Sequence, residues 1–314
     1  MPDSPPPPPA KTIIIIEKGS YMEPKYKINP DQASLHVSQG NSKIGRGIWS
    51  FSTLPGNEEH MIRTKDQGLL TDIPGTCGKL ADVCANSCYA FSSCVRHHNA
   101  CVPAWAENTV LLRNGKLWEQ LSIFINLKNG KAEKYLDEAH KQGIDPDVAM
   151  KKATELATIK TFRINVSGEV ESTEQFRRWA FLAQAHGYVR FALYTKNFEA
   201  LGEYLDWLEE NHMELPANFA IQISQWHHCA DDFIAKYAER WSLGIFEYDD
   251  SFVKGCDMSE EDKTRLAKIP HCPGIDKNGH HRKMADGSDF TCDKCQGRMS
   301  CYNRNYRHIA VYAH

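Results

Sequence analysis

One stretch of the sequence decides the fold: residues 162–195 read FRINVSGEVESTEQFRRWAFLAQAHGYVRFALYT. Its beginning, FRINVSG (162–168), predicts a buried strand, and its end, YVRFALYT (188–195), predicts another. The segment between them predicts a helix, because Ser172 is a suitable N-cap and Gly187 follows the last helical position. A strand, a helix and a strand at this spacing are typical of two parallel strands joined by a helical crossover.

The same alternation continues after this stretch. Residues 198–211 and 230–241 predict helices, whereas residues 219–224 and 242–249 predict strands. The predicted core is therefore α/β, with at least four parallel strands. A closed or partial (β/α) barrel fits this pattern, and an open doubly wound sheet is the alternative. In both folds, functional groups gather at the carboxyl ends of the strands.

Three regions follow from the changes in composition along the chain. Residues 1–20 are predicted to be a proline-rich disordered tail with a short strand, because Pro5–Pro9 favours polyproline II and Ile13–Ile16 is β-branched. Residues 21–255 are predicted to form the barrel-like core, which includes the first group of cysteines. Residues 256–314 are predicted to be a cysteine-rich, metal-binding C-terminal extension.

The composition is that of an ordinary globular protein: 314 residues, 41% hydrophobic, 25% charged, with a net charge of −3. This charge gives no general argument for nucleic-acid binding. No run approaches the roughly 20 apolar residues of a membrane helix, and the N-terminus lacks the basic and apolar regions of a signal peptide. We therefore expect a cytoplasmic protein without membrane association. In that reducing compartment, clustered cysteines are more often metal ligands or catalytic groups than disulfides.

The first cysteine group precedes the alternating region. Cys77, Cys84 and Cys88 place three soft thiols on one loop, and thiolates are ligands for both iron–sulfur clusters and zinc. A 4Fe-4S cluster on three ligands would leave one iron open to a substrate or to S-adenosylmethionine. The spacing differs, however, from the Cys-x3-Cys-x2-Cys motif of radical S-adenosylmethionine enzymes. The alternative is a zinc site completed by a nearby cysteine or histidine.

The second cysteine group lies near the other end of the chain. Its members are Cys272, Cys292, Cys295 and Cys301. The pair Cys292 and Cys295 is the strongest indication of metal, because a tight turn directs both sulfurs at one ion. Four thiols suffice for a structural zinc or for a second 4Fe-4S cluster. The spacing also allows thiols of both groups to share one site.

Polar residues follow the predicted strands at their carboxyl ends. Gly168 lets the backbone approach a ligand closely, and Glu169 places a carboxylate over the mouth of a barrel. Lys196 ends the next strand and is able to pair with a carboxylate or a phosphate. We predict Glu169 and Lys196 as catalytic residues, and as cofactor-binding residues Ser167, Gly168, Glu169, Tyr194 and Gln222. The alternative is an ordinary strand-to-helix turn with acids near the helix N-terminus and a solvated lysine.

The segment 270–308 carries seven Lys and Arg residues against four aspartates. Aromatic residues are interleaved with them, so contact with nucleic acid is one interpretation. The interpretation that we favour is a small metal-bound module with a mildly basic surface.

Several motifs occur in the order typical of a known family. They are IWSFSTLPG, the spaced cysteines ending in CYA, Asn108, FRINVSGEVES, the strand ending in YTK, the CP and CxxC pairs and the terminal HIAVYAH. On these residues the chain resembles the bacteriophage gene product 88 domain family over roughly residues 45–314. The resemblance implies a phage or prophage protein in the host cytoplasm, with an iron–sulfur site. It also implies a fold distantly similar to radical S-adenosylmethionine barrels.

Two functional hypotheses follow. The first is an iron–sulfur enzyme with radical S-adenosylmethionine-like chemistry on nucleotides or nucleic acid, in which Glu169 holds the amino group of the cofactor. In the family that the chain resembles, aspartate is expected to be common at the position of Glu169. The second is a zinc-stapled, non-enzymatic phage protein that binds nucleic acid or a host protein.

Overall fold

The computed structural model describes residues 23–41, 44–65, 68–80, 88–226, 228–251, 258–278, 280–295 and 301–312. Several residues and segments singled out in the sequence lie outside these ranges. They are the tail and strand predicted at residues 1–20, Cys84 and Cys256. None of the described helices is long and apolar enough to cross a bilayer.

Strands and helices alternate through the middle of the chain as the sequence predicts. The strands are β1 Val37–Gln39, β2 Trp49–Phe51, β3 Arg63–Thr64, β4 Gly68–Leu69, β5 Thr161–Ile164, β6 Arg190–Thr195, β7 Phe219–Gln225, β8 Gly244–Asp249 and β9 Arg307–Tyr312. The α-helices are α1 Tyr89–Arg96, α2 His98–Arg113, α3 Leu117–Lys128, α4 Gly130–Lys141, α5 Pro146–Leu156, α6 Thr173–Ala185, α7 Phe198–Glu210, α8 Asp231–Phe233 and α9 Glu260–Leu266. A π-helical turn, Ile234–Ala238, continues α8.

Most of the strands form one sheet, in the order β1-β2-β5-β6-β7-β8-β9. From β2 to β9 every neighbouring pair is parallel, and only β1 runs antiparallel to its neighbour. The strands lie in the sheet in the same order as in the chain. A doubly wound sheet reverses its strand order at a switch point, so the sheet described here is not of that type.

The sequential order explains why the helices cover one face of the sheet. Crossovers between parallel strands are right-handed, so a chain that always steps in one direction puts its connecting helices on the same side. Phe162 and Ile164 on β5 and Leu193 on β6 belong to the same buried cluster as Trp179 on α6 and Leu205 on α7. This helix-covered layer is the main hydrophobic core.

The helix that follows β5 begins where the sequence predicts. Ser172 is its N-cap, and its hydroxyl accepts a hydrogen bond from the N–H of Gln175 at 3.4 Å. The cap satisfies one of the N–H groups that a helix leaves without a partner in its first turn. The helix then buries Phe176 and Trp179 against the sheet.

The opposite face of the sheet is covered by loops. Ile44 and Ile48 ahead of β2 pack there with Ala192, Ala220 and Tyr302. Small residues on β6 and β7 at this face leave room for the side chains of the loops. The loop ahead of β2 and the segment around Tyr302 therefore meet over this face.

A glycine makes one of these loop contacts feasible. Asp293 donates its N–H to the carbonyl of Ile44 at 3.1 Å, and its carboxylate accepts the N–H of Gly47 at 3.0 Å. Gly45 has a φ of +83°, and a Cβ at this position would lie 1.9 Å from the Asp293 carboxylate. Only glycine fits such a close approach, so the loop ahead of β2 holds the turn that carries Cys292 and Cys295.

The C-terminal segment also contributes to the sheet itself. Strand β9 pairs with β8 in parallel, from Gly244 opposite Arg307 to Asp249 opposite Tyr312. Cys272 is attached to the other side of β9, because its N–H donates to the carbonyl of Ala310 at 2.7 Å. Sequence analysis assigned this segment to an extension and did not predict the strand.

Candidate functional site

A cavity of about 280 Å³ lies on the loop-covered face of the sheet. Arg163 and Asn165 line the cavity, whereas Phe162 and Ile164, which alternate with them along the chain, face the helices. This alternation is that of a strand with one face in the core and the other in a site. The next strands contribute in the same way, with Tyr194, Ser224, Phe246 and Tyr248.

Six of the seven cysteines predicted as metal ligands line this one cavity. They are Cys77, Cys88, Cys272, Cys292, Cys295 and Cys301. The seventh, Cys84, lies outside the described residues. The structure thus brings two groups that are far apart in the sequence to a common space.

Cys77, a member of the first group, lies near the carboxyl ends of the strands. Its sulfur accepts a hydrogen bond from the N–H of Gly56 at 3.3 Å, and its own N–H donates to the carbonyl of Gly56 at 2.9 Å. Burial raises the pKa of Cys77 to about 12, with the charges of Glu169 and Cys88 adding to the effect. Because its pKa is raised, Cys77 is a neutral thiol when no cation is bound. Cys88, the other described member of the first group, is the N-cap of α1.

The second group lies on the same face. Cys292 and Cys295 begin and end a single 3-10 turn. Burial raises the pKa of Cys301 to about 11, and the nearby sulfurs of Cys272, Cys292 and Cys295 add to this effect. Cys301 therefore lies close enough to the other three thiols for them to influence it electrostatically.

Among the residues that the structure describes, no three His, Cys, Asp or Glu side chains converge closely enough to hold one metal ion. The thiols share a cavity there without forming a complete set of ligands. Cys84, the third predicted ligand of the first group, lies outside the described ranges.

Arg163 interacts with tyrosines that neighbour each of the two groups. Its guanidinium lies 4.2 Å from the centroid of the Tyr194 ring, and its charge also acts on Tyr89. Tyr194 interacts with Cys301 and Cys292, whereas Tyr89 interacts with Cys88 and Cys77. The lining of the cavity consequently combines a cation and two phenols with cysteines of both groups.

The carboxylate of Glu169 is held by the main chain. One oxygen accepts the N–H of Val170 at 2.9 Å, and the other accepts the N–H of Lys196 at 2.8 Å. Burial raises the pKa of Glu169, and the N–H and charge of Lys196 oppose this increase. Glu169 lines the cavity at the carboxyl end of β5, as predicted from its place in the sequence.

Gly168 allows the turn that presents Glu169. It has a φ of +80°, and a Cβ there would lie 1.9 Å from the hydroxyl oxygen of Thr53 and 2.6 Å from that of Thr76. Thr76 in turn accepts the N–H of Glu169 at 2.7 Å. The prediction that this glycine permits a close backbone approach describes its role, although what it approaches in the structure is two threonines.

Ser167 and Asn165 line the cavity, and each has a buried polar side-chain atom. Ser167 is 3% exposed and Asn165 is 5% exposed. Within the described ranges, neither the Ser167 hydroxyl nor the Asn165 side-chain oxygen has a hydrogen-bond partner. Because an unsatisfied buried polar atom costs free energy, this pair indicates a place where a ligand or water completes the hydrogen bonding.

Lys196 lines the cavity beside aromatic side chains. Its ammonium nitrogen lies 5.8 Å from the centroid of the Trp226 ring, which in turn lies 4.4 Å from the ring centroid of Tyr248. Tyr194 also lines the cavity. Gln222, the remaining predicted cofactor-binding residue, is buried against Gly244, and the cavity lining does not include it.

The acids at the end of β8, Glu247 and Asp249, form ion pairs that stabilise the fold. Both oxygens of Glu247 accept hydrogen bonds from Arg265, at 2.6 and 2.9 Å, and one also pairs with His308 at 2.6 Å. Asp249 pairs with His271 at 2.7 Å. These pairs attach the C-terminal segment to the sheet, and neither acid lines the cavity.

Three residues line the cavity that were not predicted from the sequence as site residues: Arg163, Asn165 and Tyr302. A signal for the first two was present, because Arg163 and Asn165 are polar residues that alternate with Phe162 and Ile164 in a predicted strand. No such signal marked Tyr302. It reaches the site only because the C-terminal segment folds back over the sheet.

Comparison with known proteins gives one match. The family model described as gene product 88 matches residues 35–304. No curated protein and no solved structure shows significant similarity. The matched region contains the cavity-lining segments from Ile44 to Tyr302. Since the match covers most of the sequence, the chain belongs to the gene product 88 family.

Proposed function

We propose that this protein is an iron–sulfur enzyme with radical S-adenosylmethionine-like chemistry, acting on a nucleotide or nucleic acid in the cytoplasm. The observation that carries the proposal is the convergence of six cysteines from two distant segments on one cavity. The cavity also contains Glu169 and Lys196, at the sheet edge where parallel α/β folds bind ligands.

The proposed fold is a partial (β/α) barrel. Six parallel strands, β2 and β5 to β9, lie in sequential order and have the helical core on one face. Such single winding is the arrangement of (β/α) barrels, which keep their active site at the carboxyl ends of the strands. The cavity on the inner face fits this type of site.

The donor atoms suit an iron–sulfur cluster. Thiolates are the ligands of such clusters, and the proposed ligands of the first cluster are Cys77, Cys84 and Cys88. Cys272, Cys292, Cys295 and Cys301 are proposed to bind a second cluster or a zinc ion. When bound, an iron–sulfur cluster supplies single electrons to a ligand beside it. The high pKa of Cys77 means that metal binding would have to release a proton from this thiol.

Glu169 is proposed to hold the amino group of S-adenosylmethionine. Its carboxylate accepts two backbone N–H groups and the Thr195 hydroxyl, which leaves acceptor capacity for one more donor. Because burial raises the pKa of this carboxyl, a cationic amine beside it would stabilise the charged form. Lys196 is proposed to bind an anionic group of the substrate.

One specific observation favours a second candidate, a zinc-stapled protein that binds nucleic acid or a host protein. Cys292 and Cys295 share a tight turn, and Cys272 and Cys301 interact with them electrostatically. Four thiols with an x2 pair are typical of structural zinc sites. In this alternative the second group stabilises the fold and performs no chemistry.

Anaerobic purification with metal analysis tests the proposal. We expect a brown protein with equivalent amounts of iron and acid-labile sulfide, and Cys84→Ala and Cys88→Ala should lose the part of the colour that the first cluster contributes. Cys229→Ala is the matched control, because Cys229 does not line the cavity. A colourless protein that contains zinc and no iron would reject the enzyme hypothesis in favour of the zinc-stapled one.

A further inference from the structure

The carboxyl edge of the sheet carries a graded row of side chains across four adjacent strands. Asn165 and Ser167 follow β5, Lys196 follows β6, Trp226 follows β7 and Tyr248 lies near the end of β8. All five line the cavity. The row therefore runs from polar hydrogen-bonding groups through a cation to two aromatic rings.

Each part of this row has a chemical preference. Aromatic rings such as Trp226 and Tyr248 bind flat heterocycles by stacking, and a lysine ammonium binds phosphate as a point charge. Asn165 and Ser167 add polar side chains with buried, unpartnered atoms to the lining, which suits a ligand with hydroxyl or amino groups. A nucleotide combines all three features in one molecule.

The size of the cavity limits what can enter it. At about 280 Å³ it lies near the lower end of small-molecule pockets, which begin at roughly 300 Å³. A duplex does not fit such a space, whereas one nucleotide does. That nucleotide is either free or the unstacked unit of a single strand, since both offer the same base, sugar and phosphate.

We propose that the cavity binds one nucleotide unit, with its base against Trp226 and Tyr248 and its phosphate at Lys196. This inference rests on the proposed function for the chemistry that would follow binding, but the binding itself requires only the residues of the row. It defines the substrate class of the cavity and assigns Lys196 the recognition of phosphate.

Lys196 is a suitable position for the test because its hydrogen bond to Glu169 is made by its main-chain N–H. Lys196→Met removes the ammonium and leaves that hydrogen bond intact. Lys236→Met is the matched control: the Lys236 ammonium also lies over an aromatic ring, at 4.5 Å from the centroid of Tyr237, but outside the cavity. Trp226→Ala and Trp207→Ala form a second pair, because Trp207 too lies outside the cavity.

The experiment is calorimetric titration of the anaerobically purified full chain with ribonucleoside 5′-monophosphates, the parent nucleosides and ribose 5-phosphate. We expect the monophosphate to bind roughly tenfold more tightly than either fragment. Lys196→Met should reduce monophosphate affinity to that of the nucleoside, and Trp226→Ala should weaken both. The two control variants should bind as the unaltered protein does.

A short 5′-phosphorylated single-stranded oligonucleotide distinguishes the two sources of the ligand. Tighter binding of the oligonucleotide identifies a nucleotide within a strand, and tighter binding of the monophosphate identifies a free nucleotide. Equal binding of monophosphate and nucleoside, equal effects of Lys196→Met and Lys236→Met, or no binding would overturn the inference.

Iron and sulfide are measured on the same preparation, so the cluster and the nucleotide site can each be rejected independently of the other. A brown protein that binds no nucleotide rejects this inference and retains the cluster. A colourless protein that binds the monophosphate through Lys196 retains the inference and rejects the cluster.

Discussion

Glu169 and Lys196 are joined through the main chain: the Glu169 carboxylate accepts the N–H of Lys196 at 2.8 Å. The contact links the turn after β5 to the end of β6. It fixes the position of the carboxylate and leaves the lysine ammonium to extend toward Trp226. One residue pair thus sets both the anionic and the cationic side of the cavity.

This relationship predicts that Glu169→Gln destabilises the fold. A glutamine amide has only one acceptor oxygen, so either Val170 or Lys196 would face an amide nitrogen with its N–H. We expect the free energy of unfolding to fall by about 1–3 kcal/mol, measured by urea denaturation.

Glu174→Gln is the control for this substitution. Glu174 is exposed on α6 and pairs with Arg178 at 2.8 Å one turn away. A loss of less than about 0.5 kcal/mol is expected there. Equal losses for the two variants would mean that the hydrogen bonds of Glu169 do not stabilise the protein.

Gly168→Ala is expected to be much more harmful than Gly115→Ala. The two glycines have nearly the same φ, +80° and +78°, but only Gly168 has atoms within contact distance of an added Cβ. Left-handed backbone alone costs alanine about 1–2 kcal/mol, so Gly115→Ala measures that contribution. The excess loss in Gly168→Ala, read from thermal unfolding, measures the clash with Thr53 and Thr76; no excess would argue against the close approach.

The ion pairs of Glu247 predict a loss of stability in acid. The Glu247 carboxyl is buried, and although burial opposes ionisation, Arg265 and His308 lower its pKa from 4.5 to about 2. A carboxyl whose folded-state pKa is lowered stabilises the protein above its ordinary pKa and loses this contribution as the pH falls through the folded-state value. The unfolding free energy should therefore decline between pH 4.5 and about 2.

Glu247→Gln tests this prediction because it removes the titrating group. The variant should be less stable than the unaltered protein at neutral pH, and its stability should fall less steeply over the same acid range. Parallel pH profiles for the two proteins would assign the acid sensitivity to other carboxyl groups.

Each cysteine group interacts with a tyrosine of its own, Tyr89 or Tyr194, and this arrangement predicts two independent metal centres. Cys88→Ser and Cys292→Ser should each retain part of the bound metal, whereas the double variant should retain none. Elemental analysis after anaerobic purification measures this directly. Complete loss in either single variant would indicate one centre shared by both groups.

Much of the fold was predictable from the sequence because hydrophobic periodicity is a local property. The pattern of 162–195 predicts β5, α6 and β6, although the predicted strand 162–168 extends four residues beyond the end of β5 at Ile164. Strand β9 was missed because its partner, β8, lies far away in the sequence, and a short apolar run near a terminus has no periodic context. The choice between a single-wound and a doubly wound sheet likewise depends on strand order, which periodicity does not encode.

The candidate site was predictable in its parts and not in its assembly. Glu169, Lys196 and the cysteines were identified by residue type and by their positions after strands. That both cysteine groups line one cavity depends on the contact of Asp293 with the loop at Gly45 and Gly47. Such a contact between distant segments leaves no trace in local spacing.

The place of β9 at the edge of the sheet has a consequence for biosynthesis. Translation completes the first cysteine group and strands β5 to β8 before it reaches Cys292, Cys301 and β9. A nascent chain therefore exposes the loop-covered face of its sheet until the segment with β9 docks beside β8. The complete cavity exists only after that segment has been synthesised. A premature stop before β9 would leave a protein with the first cysteines but without the C-terminal part of the cavity lining.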